Sequence, residues 1–370
     1  MDATTILRDR IAITLLHGIG AQTAKKLIAY AGSESAVLQL KRKSLTLVAG
    51  IGDEKAKLMH DSVSNALERA DKEVEFIEKH QLKTCYYTDP DYPKLLFECD
   101  DCPLLLYMRG NIDLKGKKIL SVVGTRKATG YGKQMIKEVI GELASRHNDL
   151  VVVSGLAYGI DITAHRTALE HQVQTIGLLG NGLSTLYPSE HRQTAIQMLE
   201  NGGIMTEFIS TAQPEPKNFL MRNRIIAGIS QATWVVESAI KGGSLITANM
   251  ANSYNRDVFA CPGRINDPYS SGCNKLIKMN KANLLETASD LEYIMGWDNK
   301  GKNKTKRQAT FALTEEERTL YQLLRQNDKI QMDELVRITG QNIHLLSALL
   351  LTLEFKGAVQ TLPGNRYTAL

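Results

Sequence analysis

Residues 119–133 read ILSVVGTRKATGYGK. Ile119–Val123 is short, apolar and rich in β-branched residues, and it stops at Gly124, which is the pattern of a buried strand. An amphipathic helix follows Thr129 and Gly130. A strand–turn–helix junction of this kind directs free backbone N–H groups and a positive helix end to the carboxyl edge of a sheet, where anions bind. Arg126 adds a permanent guanidinium suited to phosphate. Only Gly124, Gly130 and Gly132 are present, so the spacing is not the dinucleotide pattern G-x-G-x-x-G. The next apolar run, Val151–Val153, leads into Ser154-Gly155 rather than into the acidic residue that would hold a ribose. A nicotinamide enzyme is disfavoured.

From 119 to about 295, strand-like and helix-like stretches alternate, the mark of an α/β doubly wound, mainly parallel sheet. The strand candidates are Ile119–Val123, Leu150–Val153, Gln174–Leu179, Gly203–Thr206, Thr233–Val236 and Asp257–Ala260. Most end in glycine, a small hydroxyl or a charge: Gly124-Thr125-Arg126, Ser154-Gly155, Gly180-Asn181-Gly182, Glu207, and Glu237 with Gly242-Gly243-Ser244. Carboxyl ends of parallel strands share one rim, so these loops should converge on a single crevice. Arg222 and Arg224, in the run KNFLMRNRII from Lys217, add guanidinium groups there. Backbone N–H nests with guanidinium groups suit a row of phosphates; Phe219 is a candidate to stack on a base, with a core aromatic at the helix start the favoured reading of that residue. Two residues apart on a helix, Arg222 and Arg224 cannot share a face. One is expected to face the crevice while the other pairs locally, with Glu207 or Glu237.

Catalytic patterns are sparse. There is no G-x-S-x-G elbow, H-E-x-x-H or P-loop lysine. Ser154, Asp161 and His165 are close in sequence, but the i, i+4 spacing of the last two reads as helix capping and packing rather than a hydrolase triad. Glu207 and Glu237 are candidates for a carboxylate pair on neighbouring strands, with ion pairing to the arginines the favoured reading. Cys99 and Cys102 form a C-x-x-C followed by Pro103, without a second pair or a histidine cluster, so no metal site is assigned. Five scattered cysteines, an odd number, fit reduced thiols in a cytoplasm. The N-terminus, MDATTILRDR, has no apolar signal core, and no stretch approaches a membrane span. A net charge of +5 permits a nucleic-acid partner without demanding one.

Residues 1–80 read as a small helical domain with an internal echo: Leu16-His-Gly-Ile-Gly20 and Val48-Ala-Gly-Ile-Gly52, each before an Ala- and Leu-bearing helix. This resembles the helix-hairpin-helix repeat, in which two glycines turn the backbone sharply. A polar helix runs from Asp53 to His80. Residues 81–296 form the central domain, and 297–310, WDNKGKNKTKRQAT, a basic linker. Residues 311–370 carry helices at Thr314–Leu324, Met332–Thr339 and Asn342–Phe355, then a hairpin. Three helices and a hairpin predict a winged helix. Its presumed recognition helix has no Lys or Arg before Lys356, so a regulatory or protein-contact role is favoured over sequence reading.

Six motifs in order, VVGTRKATGYG, VSGLAYGIDITAH, GLLGNGLSTLYPSEHR, KNFLMRNRIIAGIS, VVESAIKGGSLITANMA and RDVFACPG with GCNKLI, resemble the DprA/Smf DNA-processing proteins over roughly 85–295. Gly242-Gly243-Ser244 stands where that family commonly has Ser-Gly-Ser. The resemblance implies an extended Rossmann-like core that binds single-stranded DNA without cleaving it, forms a homodimer and loads the RecA recombinase during natural transformation. It implies no enzymatic activity and no cofactor. It carries the DNA site onto Arg126, onto Lys217 and Phe219, and onto Arg192. With the rim residues above, the expected phosphate-binding set is Gly124, Thr125, Arg126, Ser154, Gly155, Gly180, Gly182, Arg192, Lys217, Arg222, Asn223, Arg224, Gly243 and Ser244. The rival expectation is a nucleotide-binding or nucleotide-hydrolysing enzyme of a related fold. The Pro-Gly-Gly-x-Gly-Thr loop of the phosphoribohydrolases, however, has no counterpart around Lys241-Gly-Gly-Ser244.

Overall fold

The computed structural model describes residues 2–298, 313–326, 330–356, 358–362 and 366–369. The expected linker lies, from residue 299 onward, outside the described residues. The chain divides into two compact units, 1–297 and 298–370. No helix among the described residues is long and apolar enough to cross a membrane.

The first unit opens with α1 (Ala3–Leu15), α2 (Ala21–Ala31), α3 (Glu34–Leu38), α4 (Arg42–Leu45) and the long α5 (Asp53–His80). The two Gly-Ile-Gly echoes are turns of the same construction. Gly18 and Gly50 have φ of 81° and 90°, a region costly for residues with a Cβ. Gly20 and Gly52 are the N-caps of α2 and α5. Apolar faces of these helices bury Ile11, Leu27, Met59 and Ala66 in a core that also takes Tyr86, Leu105 and Tyr107 from the sheet. The helical region is therefore packed onto the α/β region, not tethered to it.

The sheet strands are β1 (Lys83–Tyr86), β2 (Leu105–Asn111), β3 (Lys118–Val123), β4 (Leu150–Ser154), β5 (Gln174–Leu178), β6 (Gly202–Thr206), β7 (Ala232–Val235), β8 (Asp257–Ala260) and β9 (Asn283–Leu284). The helices between them are α6 (Lys94–Phe97), α7 (Gly130–Arg146), α8 (Ile160–Glu170), α9 (Arg192–Met198), α10 (Pro216–Ile229), α11 (Gly243–Ser253), α12 (Ser271–Lys278) and α13 (Ala288–Met295). The order is β1-β2-β6-β5-β4-β3-β7-β8-β9. From β6 to β9 all neighbours are parallel, while β1 and β2 add an antiparallel edge. Strands β3, β4 and β7 are buried along nearly their whole length because helices cover both faces. One face packs Val123, Val153 and Ile176 against α10 and α11; the other packs Leu120, Val152 and Trp234 against α7 and α8.

The second unit contains α14 (Glu315–Gln326), β10 (Ile330–Gln331), α15 (Met332–Thr339), α16 (Ile343–Phe355), β11 (Val359–Leu362) and β12 (Arg366–Ala369), its strands ordered β10-β12-β11. This is a winged helix. Thr314 and Glu317 exchange N–H bonds at 2.8 and 3.3 Å, a capping box that starts α14. Leu335, Leu346, Leu350 and Leu353 form the small core. The turn of the expected hairpin, at residues 363–365, lies outside the described residues.

Candidate nucleic-acid interface

The chain leaves β3 toward β4, β5 and β6, then returns through α10 to β7 on the other side of β3. The connections diverge there, so the carboxyl ends of β3 and β7 form the switch-point crevice of an open α/β sheet. Two loops meet in it. The Thr125 N–H donates to the Glu237 carbonyl at 2.8 Å, and the Ile160 N–H donates to the Thr125 carbonyl at 3.2 Å. Gly124 permits this closeness, since a Cβ there would stand 2.5 Å from the Ile160 side chain and 2.9 Å from the Glu237 oxygen. With Thr125 pinned on both sides, Arg126 turns outward. It is exposed, and no ion pair engages it among the described residues.

Helix α10 supplies the opposite wall. Pro216 at its first position presets the helical φ. Arg222, 4% exposed, points into the crevice across Gly155, where an added Cβ would stand 1.5 Å from a guanidinium nitrogen. Burial pushes the guanidinium down to about 10; attraction to Asp161 opposes this, and repulsion from Arg126 adds to it. The Asp161 carboxylate accepts the N–H groups of Gly155 (3.1 Å) and Ala157 (3.4 Å). Arg222 Nε has no partner, so the group is held in place yet not saturated. Its carbon lies 5.9 Å from the centroid of Phe219.

Phe219 and Tyr187 line the same crevice, with ring centroids 5.6 Å apart and planes tilted by 49°. Gly180 makes room for the Phe219 ring, which would stand 2.7 Å from an added Cβ. Helix α11 opens at the floor. Its N-cap, Gly242, offers no side chain, and nothing lies within 4 Å of the position a Gly243 Cβ would take. The positive end of α11 is therefore uncovered at Gly243, although the Gly242 and Leu245 amides are bonded to the carbonyls of Ala239 and Gly242. The crevice encloses about 650 Å³.

Of the expected residues, the crevice brings together Gly124, Thr125, Arg126, Phe219, Arg222, Asn223, Gly243 and Ser244. Others are engaged or placed outside it. The Ser154 hydroxyl donates to the Val122 carbonyl at 2.6 Å. The Gly155 N–H is taken by Asp161, and the Gly182 N–H by the Ala212 carbonyl at 2.9 Å. Gly180 is a spacer for Phe219. Arg224 turns away from the crevice to pair with Glu207 and donates to the Asp101 carbonyl. Lys217 is exposed at the start of α10 and pairs with Glu215 at 2.9 Å. Arg192 faces a separate pocket.

The catalytic alternatives meet similar obstacles. Glu207 and Glu237 end strands four places apart, roughly 19 Å at ordinary strand spacing, so they are not a neighbouring pair. Among the described residues no arginine pairs with Glu237, which takes the N–H and the hydroxyl of Thr129. His165 is fully buried against the Thr175 hydroxyl at 2.7 Å, away from the Ser154 hydroxyl's bond to Val122. Burial pushes His165 down to about 3. The Cys102 sulfur accepts the Lys25 ammonium at 2.7 Å.

Two contributors were not anticipated. Tyr187 sits in GLSTLYP, and its place in a rim loop after β5 was the available signal. Asp161 was read as capping; it does hold amides, and it also supplies the counter-charge for Arg222.

The chain matches the family model for DNA recombination-mediator protein A over residues 83–295 and that for the DprA winged helix domain over 304–365. Protein Smf of Synechocystis is 34% identical over 329 residues, covering 79% of this chain and 82% of the relative. The DNA processing protein DprA of Bacillus subtilis is 38% identical over 212 residues, 57% of this chain and 70% of the relative. Among solved structures, DNA processing protein A from Streptococcus pneumoniae superposes with a TM-score of 0.65 at 31% identity, covering 79% of this chain and 98% of that one. DNA processing protein A from Helicobacter pylori, described for its single-stranded DNA binding mode, gives a TM-score of 0.53 at 30% identity, covering 59% and 97%.

Proposed function

This chain belongs to the DprA/Smf family of DNA-processing proteins, and we propose that it binds single-stranded DNA without sequence preference and hands it to a RecA recombinase in natural transformation. The observation that carries the reading is one crevice holding an unpaired Arg126, a buried Arg222, the open end of α11 and the Phe219–Tyr187 pair. Positive charge and amides serve a phosphate backbone, and the aromatic faces accept any base. The Helicobacter pylori structure, solved to define a single-stranded DNA binding mode, supports the same reading.

The role is one of binding, not turnover. Among the described residues lining the crevice, the carboxylate is Asp161, which accepts two amides and attracts the Arg222 guanidinium. Recombinase loading, homodimer formation and action in the cytoplasm are parts of the proposal that rest on family membership; the family model's own description, a recombination mediator, supports the first.

The test is binding of single-stranded and duplex DNA over a salt series, with the native chain and Arg126→Ala. Preference for single strands, a steep salt dependence and a weakened, correctly folded variant are expected. Equal binding by the variant would remove the crevice from the function. Assembly of RecA filaments on the strand, with and without this protein, tests the second half.

A further inference from the structure

The rim loop between β5 and α9 has two sides. Tyr187 faces the crevice, whereas Leu183, Ser184, Thr185, Leu186 and Ser189 line a second pocket of about 440 Å³. Arg109 and Arg192 face this second pocket. Arg109 comes from β2, directly opposite Ile204 of β6. Cross-strand partners project to the same sheet face, so Arg109 joins Ile204 on the side covered by α9, where Ile204 packs with Ala195 and Met198. Both arginines are exposed, and no hydrogen bond or ion pair engages either among the described residues. None of the pocket's lining residues is acidic. Glu190, the adjacent carboxylate, is turned to the Ser189 hydroxyl and to Tyr158.

The wall between the two pockets is built rigidly. The buried Asn181 amide donates to the carbonyls of Gly182 and Thr185 at 2.9 and 2.8 Å, and the Ser184 hydroxyl donates to the Ser210 carbonyl at 2.5 Å. Two unneutralised guanidinium groups over an aliphatic floor of Leu186, Ile196 and Leu199 suit a chain that alternates phosphates with sugars and bases whose faces can lie on apolar surface.

We propose that this pocket is a second single-stranded DNA subsite, in which Arg109 and Arg192 hold phosphates of a strand that leaves the crevice over Tyr187. The proposal rests on the crevice being the first subsite. It restores Arg192 to the DNA contact but places it outside the crevice, and it adds Arg109, which no sequence motif marked.

The test uses the full chain, a short oligothymidine no longer than the crevice, and one several times longer. Anisotropy is read over a salt series for Arg109→Ala, Arg192→Ala, Arg109→Lys and Arg126→Ala, with circular dichroism as the folding control. Each phosphate contact on a single strand contributes about 0.7 to the logarithmic salt slope. Arg109→Ala and Arg192→Ala should each lower the slope for the long strand by about that amount and leave the short strand unchanged, while Arg109→Lys keeps most of the slope. Arg126→Ala should weaken both strands. If Arg126→Ala weakens both and the second-pocket variants affect neither, the second subsite is overturned and the crevice stands. If no variant affects either strand, both fall. Loss of polyglutamate retention in Arg109→Ala, with the long strand unaffected, would assign the pocket to an acidic polypeptide and also overturn the proposal.

Discussion

Glu73 of α5 and Ser210 of the loop between β6 and α10 are joined three ways: both carboxylate oxygens accept the Ser210 N–H at 2.9 Å, and one accepts its hydroxyl at 2.6 Å. Both residues are buried. The N-terminal helices thus reach the segment that leads into α10, the helix carrying Phe219 and Arg222.

Removing that carboxylate leaves a buried N–H and hydroxyl without a partner. Glu73→Ala should cost on the order of 2–4 kcal/mol, read from the urea midpoint. Burial raises the Glu73 pKa, and the Ser210 bonds oppose the shift without cancelling it. The stability this acid contributes is fully present below its ordinary value and is lost as pH rises through its folded value. Glu73→Gln should flatten the pH dependence in that window only; an unchanged profile would refute the assignment.

His165 has the opposite sign. Its folded pKa is pushed down to about 3, so its contribution is present above the ordinary value near 6.5 and is lost as pH falls toward 3. The shift sets a ceiling of about 5 kcal/mol. Denaturant melts at steps through that range should show His165→Leu losing less stability on acidification than the native chain.

Gly155 touches no ligand in this reading, but its missing Cβ is where the Arg222 guanidinium lies. Gly155→Ala should expel that group and weaken single-stranded DNA binding by roughly tenfold, about 1.4 kcal/mol. Combining it with Arg222→Ala should add little further loss, because both act on one group. Full additivity would show that Gly155 works by another route.

Phe219→Ala should cost about 1–3 kcal/mol in binding, by roughly the same amount on oligothymidine and mixed-sequence strands, as stacking on a π-face predicts. Phe219→Tyr should retain most of the affinity. A loss confined to one sequence would mean that the ring takes part in base readout instead.

The strands and their shared rim were legible because each apolar run ends at a small or charged residue, and a parallel sheet aligns those ends. Which glycine serves which purpose was not. Gly124, Gly155 and Gly180 look alike in sequence, yet one admits a loop, one a guanidinium and one an aromatic ring. Helical periodicity separated Arg222 from Arg224, but only the packing of α10 decides which of them reaches Glu207. Arg192 was carried over by motif, and the loop around Tyr187 turns it to a different pocket. Contacts that span the chain, such as Thr129 to Glu237 across 108 positions, leave no local trace.

That last contact bears on what the fold can accept. Helix α7 begins where a dinucleotide enzyme of this architecture would seat a pyrophosphate. Here the Glu237 carboxylate fills the place, and Gly132 is the residue that admits it, since a Cβ would stand 2.3 Å from a carboxylate oxygen. A carboxyl group of the chain itself plugs that helix end. A diphosphate arriving at that helix would meet a carboxylate already in place, whereas nothing lies within 4 Å of the position a Gly243 Cβ would take at the start of α11. A compact cofactor loses its socket at α7, and what remains is the open crevice walled by α10 and α11.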